Sequence, residues 1–77
     1  MKIQVFALLK DHFEKEFEVK EQFTDVASLK NYLSNLKPSA ANILEKCRFA
    51  VHDEFINHDF QLTEHDTVCI IPPSSGG

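Results

Sequence analysis

Near its end the 77-residue chain reads Thr67-Val68-Cys69-Ile70-Ile71-Pro72-Pro73. The residues before the prolines are apolar at odd and even positions, whereas a strand with one solvated face alternates apolar and polar side chains. The run is apolar on both faces, which predicts a strand at the centre of the sheet rather than at its edge. Pro72 ends this strand because proline has no backbone N–H to donate to a neighbouring strand.

Two more strands are predicted near the start of the chain. Apolar residues recur at every second position from Ile3, which predicts a first strand that extends to residue 10. One face of this strand is formed by Ile3, Val5, Ala7 and Leu9. After polar residues 10–15, Phe17 and Val19 alternate with charged residues, as in a strand with one solvated face. We expect these two strands to form an antiparallel hairpin.

The middle of the chain predicts helices. The first helix is predicted between Asp25, a suitable N-cap, and Pro38, which ends it. The apolar stripe of this helix consists of Val26, Leu29, Leu33 and Leu36. A second short helix is expected over residues 39–46, opened by Pro38. Its small apolar face consists of Ala40, Ile43 and Leu44.

Two further strands complete the pattern. Arg48–Val51 predicts a strand with Phe49 and Val51 on one face, and a turn at residues 53–54 leads into Phe55-Ile56. Another turn is expected at residues 64–66. The order strand, strand, helix, strand, short strand, strand is that of an α+β fold, the β-grasp or ubiquitin-like fold, in which a mixed sheet packs on one main helix. We expect a β-grasp domain over residues 1–71 and an extended tail over residues 72–77.

Size and charge restrict the function. A chain of 77 residues has room for one modest core but hardly for a deep catalytic cleft, so a partner is expected to supply any pocket. Twelve acidic against eight basic residues give a net charge of -4, which disfavours binding to nucleic acid, including by an RNA-binding β-grasp module. No segment has the length of a membrane span or of a signal peptide, which predicts a cytoplasmic protein without a membrane partner.

The chain has two glycines, Gly76 and Gly77, where average usage of about 7% predicts roughly five. A glycine pair is narrow and conformationally free, so it suits a tail that enters a confined channel. Pro72-Pro73 favours a stiff, extended stem for that tail. The α-carboxylate of Gly77, with an ordinary pKa of about 3.5, becomes an acyl donor once ATP has adenylated it. The alternative is that the glycine pair is only a frayed or truncated end.

Three segments of the chain resemble the small, sulfur-carrier (MoaD-type) subunits of molybdopterin synthase, within the ubiquitin-like, ThiS-like β-grasp sulfur-carrier family. These segments are residues 3–10, residues 48–52 and, most specifically, residues 66–77, in which an aliphatic strand runs into Pro-Pro-Ser-Ser-Gly-Gly. The resemblance covers nearly the whole chain. Ser74 stands where the family usually has Val. His65 stands where the family commonly has Gly in an Asp-Gly-Asp turn. If that turn needs a positive φ, His65 must adopt it, although a histidine tolerates it less well than a glycine.

The resemblance implies a function. A ubiquitin-activating-like enzyme would use ATP to adenylate Gly77, a sulfurtransferase would supply the sulfur of a thiocarboxylate, and Gly76 would be its slim neighbour. A large catalytic subunit, in a heterotetramer of two small and two large subunits, would use that sulfur to convert cyclic pyranopterin monophosphate into molybdopterin. The chain itself would bind no cofactor and would not be an enzyme alone. The partner-binding residues would be Phe6, Phe55, Ile71, Pro72, Pro73, Ser74 and Ser75.

Other sites and functions compete with this hypothesis. Phe6, Phe55 and Ile71 are equally compatible with a place in the core. The four histidines lack metal-site spacing and are expected to be solvated, and the two cysteines are expected to be reduced, with thiol pKa values raised by apolar surroundings. Among functions, sulfur transfer to thiamin thiazole or another thiolation pathway is the near alternative. A β-grasp interaction module without tail chemistry is the alternative from a different class.

Overall fold

The computed structural model of the protein describes residues 1–73. These residues form a five-stranded sheet, two α-helices and two 3-10 turns. The strands are β1 (Lys2–Val5), β2 (Glu16–Glu18), β3 (Arg48–Val51), β4 (Glu54–Ile56) and β5 (Thr67–Ile71). The helices are α1 (Val26–Leu36) and α2 (Ala41–Lys46), and the 3-10 turns are Ala7–Asp11 and Pro38–Ala40. Neither helix is long and apolar enough to cross a membrane.

Strand β5 occupies the centre of the sheet, as predicted. The strand order is β2-β1-β5-β3-β4, with β5 parallel to β1 and antiparallel to β3. Val68 and Ile70 on its inner side are fully buried. β1 and β2 form the predicted antiparallel hairpin, and the mixed sheet confirms the predicted β-grasp architecture.

Helix α1 packs on the inner side of the sheet and begins as predicted. The Asp25 side chain accepts a hydrogen bond from the Ser28 backbone N–H at 2.9 Å, and this bond holds the pKa of Asp25 below its ordinary value. Val26, Leu29 and Leu33 are buried in the core. The prediction for Leu36 is wrong, since 51% of this residue is exposed. It is the last residue of α1, and Ala40 and Leu44 from the next segments fill the core instead.

The first strand is shorter than predicted. β1 ends at Val5, and Ala7 turns the chain with φ 52 into the 3-10 turn Ala7–Asp11. The register explains this end, because Val5 pairs with Ile70 and only Ile71 remains in β5 to pair with a longer β1. A strand running to residue 10 would leave its backbone donors and acceptors without partners. The 3-10 turn still buries Leu9, but from a different backbone conformation.

Two turns differ from expectation. The β3–β4 hairpin turns at His52 and Asp53, with φ 54 and φ 65, so Glu54 opens β4 rather than lying in the turn. Two successive positive φ values are typical of a type I′ hairpin, whose twist matches that of the flanking strands. At His65 no positive φ occurs. That turn is closed by the Thr63 N–H, which donates to the Asp66 carboxylate at 2.8 Å, and by the Asp66 N–H, which donates to the Thr63 carbonyl at 3.1 Å.

These backbone angles predict opposite effects of two glycine substitutions. His65→Gly should lower the free energy of unfolding by about 0.5–1 kcal/mol, because glycine adds unfolded-state entropy without relieving strain. Ala7→Gly should raise it by up to about 1 kcal/mol, because φ 52 disfavours a residue with a Cβ. Chemical denaturation of both variants measures the difference. A stabilising His65→Gly would contradict the backbone geometry of this turn.

Candidate functional site

The side of the sheet that faces away from the helices is defined here as the outer face. The inner side chains of β1, β3 and β5 join the helices in one apolar cluster. The alternate residues lie on the outer face, and one row of aligned residues crosses β1, β5, β3 and β4 as Gln4, Cys69, Ala50 and Phe55. Ala50 is buried but does not belong to the inner cluster, which is consistent with its place on this face.

A shallow apolar depression on the outer face brings three of the predicted partner residues together. Phe6, Phe55 and Ile71 line it with Ala50, Asp53 and Cys69, around a volume of about 270 Å³. Phe55 is 55% exposed and Phe6 is 37% exposed, whereas Ile71 is partly buried. The two phenylalanines therefore lie on the surface, not in the core. We call this feature the outer-face depression.

Arg48 lies beside the outer-face depression and was missed by the sequence reasoning. It pairs with Ile71 across β3 and β5, and its guanidinium carbon lies 3.8 Å from the centroid of the Phe55 ring. This is a cation–π contact, in which a guanidinium is attracted by the negative face of an aromatic ring. The sequence contains one signal for this position. Arg48 is two residues before Ala50, and residues two apart in a strand share a face, so Arg48 lies on the outer face with Ala50.

Polar side chains occupy the opposite end of the aligned row. Gln4 Nε2 donates to Glu16 Oε1 at 3.0 Å, and Lys2 Nζ lies 3.4 Å from Glu16 Oε2. The hydrogen bond from Gln4 and the charge of Lys2 hold the pKa of Glu16 below its ordinary value. Cys69 Sγ donates to Gln4 Oε1 at 3.4 Å, which joins this polar group to the apolar centre. The ammonium group of Lys2 is therefore paired with a carboxylate of the same chain, that of Glu16.

The predicted tail begins at the edge of the outer-face depression. Ile71, the last residue of β5, lines the depression, and the two residues after it differ in exposure. Pro72 is buried and Pro73 is exposed. The predicted site residues Ser74, Ser75, Gly76 and Gly77 lie outside the described residues. The described part of the chain therefore places the start of the stem, and the docking residues predicted from the sequence, at the same end of the sheet.

The cysteines have the character predicted from their surroundings. Both are free, with Cys47 buried and Cys69 half-buried. Burial raises the pKa of Cys47 to about 11 and is also the main reason that the pKa of Cys69 is raised, with the negative charge of Asp53 adding to it. Both thiols are therefore protonated at neutral pH and poor nucleophiles.

The histidines lie apart from one another, each with a different polar neighbour. His12 Nδ1 lies 3.1 Å from the Ser39 hydroxyl, and His58 Nε2 lies 3.4 Å from Lys30 Nζ. The other two face carboxylates, at 3.8 Å and 3.5 Å: His52 faces Asp66 and His65 faces Glu64. Within residues 1–73 no three His, Cys, Asp or Glu side chains are grouped to hold a metal ion.

A larger depression lies elsewhere on the surface and has a more polar lining. It measures about 470 Å³ and lies between residues 22–24 and 62–64. Gln22 and Glu64 are joined by a hydrogen bond of 3.1 Å from the amide nitrogen to the carboxylate. None of the residues that line it was predicted as a site residue, and none lies next to the stem.

Comparison with known proteins places the chain in a family. The chain is similar to a chain of the complex of subunits 1 and 2 of molybdopterin-converting factor from Helicobacter pylori 26695, with 25% identity, a TM-score of 0.70 and coverage of 99% of this chain and 96% of that one. It shares the fold of SAMP1 from Haloferax volcanii, with 17% identity, a TM-score of 0.79 and coverage of 99% and 97%. A model of the ThiS family matches residues 3–77. This match spans nearly the whole sequence, and the chain therefore belongs to the ThiS family, with the ubiquitin-like β-grasp fold.

Proposed function

We propose that this chain is the sulfur-carrier small subunit of molybdopterin synthase. In this function, Gly77 carries a thiocarboxylate whose sulfur is donated to cyclic pyranopterin monophosphate in the active site of the large subunit, during molybdenum cofactor biosynthesis. One observation carries the proposal: the ThiS-family match extends through Gly76 and Gly77. The similarity to a chain from the Helicobacter pylori complex of molybdopterin-converting factor supports this choice of pathway.

Activation of Gly77 requires ATP and an enzyme that resembles ubiquitin-activating enzymes. A carboxylate oxygen of Gly77 attacks the α-phosphorus of ATP, and pyrophosphate leaves. Hydrosulfide released by a sulfurtransferase then attacks the acyl carbon, AMP leaves, and the thiocarboxylate remains. Glycine suits these steps, because it has neither a side chain to hinder attack nor a stereocentre to racemise.

The described residues contribute docking and direction to this process. The outer-face depression offers Phe6, Phe55 and Ile71 as an apolar contact for the large subunit. Pro72 and Pro73 form a stiff stem, and Ser74 and Ser75 precede the narrow glycine pair in the sequence. Preorganisation of the stem lowers the entropy lost when the tail is captured.

The protein is not an enzyme on its own but the sulfur donor of a sulfurtransferase complex. The complex is a cytoplasmic heterotetramer of two small and two large subunits. The raised thiol pKa values of Cys47 and Cys69 support a donor whose reactive atom belongs to the tail and not to the folded body.

A second candidate keeps the thiocarboxylate but directs its sulfur to thiamin thiazole synthesis or to another thiolation pathway. The ThiS-family match is the observation that favours it. An interaction module that binds through the outer face without tail chemistry is a third. Deletion of Gly76 and Gly77 separates the last from both carriers, because a carrier loses sulfur transfer and an interaction module retains its function.

Sulfuration of Gly77 should be visible by intact mass spectrometry. After incubation with ATP, a cognate activating enzyme and a sulfurtransferase with its sulfur source, we expect the mass gain of one oxygen replaced by sulfur. The variant that lacks Gly76 and Gly77 is the control and should keep its mass. If the mass of the full chain never changes with the enzymes of any of these pathways, the carrier function is wrong.

Tail length should matter as much as tail chemistry. One residue added after Gly77 moves the reactive carbon by about 3.5 Å, which removes it from its position in a confined active site. We expect the extension to abolish sulfur transfer. The free energy of unfolding, measured by chemical denaturation, should equal that of the unextended protein. Full activity of an extended and uncleaved chain would contradict the proposed role of the terminal carboxylate.

A further inference from the structure

Within residues 1–73, the charge of Arg48 has no acidic partner. Among residues 1–73 no carboxylate oxygen lies within 4.0 Å of its guanidinium, and its side chain makes no hydrogen bond. Asp53, which lines the outer-face depression, forms no ion pair with Arg48. The other cation on this face, Lys2, is paired with Glu16.

The contact with Phe55 fixes the position of this charge. At 3.8 Å from the ring centroid, the guanidinium is in van der Waals contact with the ring, which restricts the long arginine side chain. The ring accepts no conventional hydrogen bond, so the N–H donors of Arg48 are available to another group. A positioned guanidinium binds a carboxylate through two parallel hydrogen bonds and loses less entropy than a freely moving one.

The location of Arg48 connects it with docking. It pairs with Ile71, the residue before the proline stem, and it covers Phe55, the most exposed large apolar side chain of the described residues. Arg48 does not line the outer-face depression, but its guanidinium lies over Phe55, which does. A protein that packs on Phe55 therefore also contacts Arg48 and removes water from it. Desolvating a guanidinium without an acceptor costs several kcal/mol, so a partner that fits this surface must supply one.

We propose that Arg48 is a specificity-determining residue that binds a carboxylate of the protein partner on the outer face. The proposal rests on the proposed function, which identifies that partner as the large subunit of molybdopterin synthase. The apolar depression supplies contact area, and the Arg48–carboxylate pair selects the partner whose acidic residue lies opposite. Large subunits that have an apolar or basic residue there are rejected, because the guanidinium is then buried unpaired.

Calorimetric titration of the full chain with its cognate large subunit tests this proposal. Arg48→Met keeps an unbranched apolar stem over Phe55 but removes the charge, and we expect affinity to fall at least about tenfold. Arg48→Lys should recover part of the loss, because an ammonium group cannot form the paired hydrogen bonds. Arg48→Glu should bind more weakly than Arg48→Met. Arg48 is exposed, so these variants should unfold like the wild type, as chemical denaturation will check.

Lys46→Met is the matched control. Lys46 is an exposed cation at the end of α2, and its substitution changes the net charge as Arg48→Met does. The affinity of Lys46→Met for the large subunit should stay within about twofold of the wild type, because Lys46 belongs to a helix on the inner side of the sheet and an exposed charge outside the contact contributes little. On the large subunit, an acidic residue replaced by lysine should restore the binding of Arg48→Glu at only one position. That position identifies the carboxylate partner, because the two charges are then exchanged.

The outcomes separate this inference from the proposed function. If the wild type binds the large subunit and Arg48→Met and Arg48→Glu bind equally well, Arg48 has no carboxylate partner and the inference is wrong, while the carrier function stands. If Lys46→Met loses as much affinity as Arg48→Met, general electrostatics explain the loss and the inference is also wrong. If the wild type does not bind the large subunit, the proposed function fails and the inference fails with it.

Discussion

The position of β5 between β1 and β3 is the constraint on which the rest of the structure depends. The parallel pairing with β1 joins the two ends of the domain, and the antiparallel pairing with β3 connects the middle of the chain to both. Such long-range pairing has an entropic cost, which the burial of apolar side chains must offset. The apolar residues at odd and even positions of β5 meet this requirement. Val68 and Ile70 complete the inner core, and Cys69 and Ile71 contribute to the outer face.

This central position also determines where the tail begins. Because β5 is the last strand of the domain, the chain reaches Pro72 from the middle of the sheet and not from an exposed edge. The residues beside its end are those of the neighbouring strands, so Phe6 follows β1 and Arg48 opens β3 next to Ile71. The proximity of the proposed docking surface to the start of the tail thus follows from the strand order.

The sequence was sufficient for features that depend on local chemistry. Asp25 capped its helix, and β5 was assigned correctly to the sheet centre from its composition. Features that depend on register were predicted less well. The end of β1 is determined by where β5 stops, and the alternation of Ile3, Val5, Ala7 and Leu9 contains no information about that. Arg48 and Phe55 are seven positions apart, and only the pairing of β3 with β4 brings them together. His65 was misjudged because the family turn suggested a positive φ that a side-chain hydrogen bond makes unnecessary.

The distribution of glycine is consistent with a division of labour between body and tail. Three described residues, Ala7, His52 and Asp53, adopt positive φ, where a left-handed conformation costs roughly 1–2 kcal/mol for a residue with a Cβ. Glycine would remove this cost at each position, yet the sequence has none before Gly76. A residue with a side chain has less conformational entropy in the unfolded state than glycine. This difference stabilises the folded state and offsets part of the cost of backbone strain. The described residues therefore contain no glycine even where positive φ favours it, and both glycines of the sequence stand at the positions proposed to enter a partner's active site.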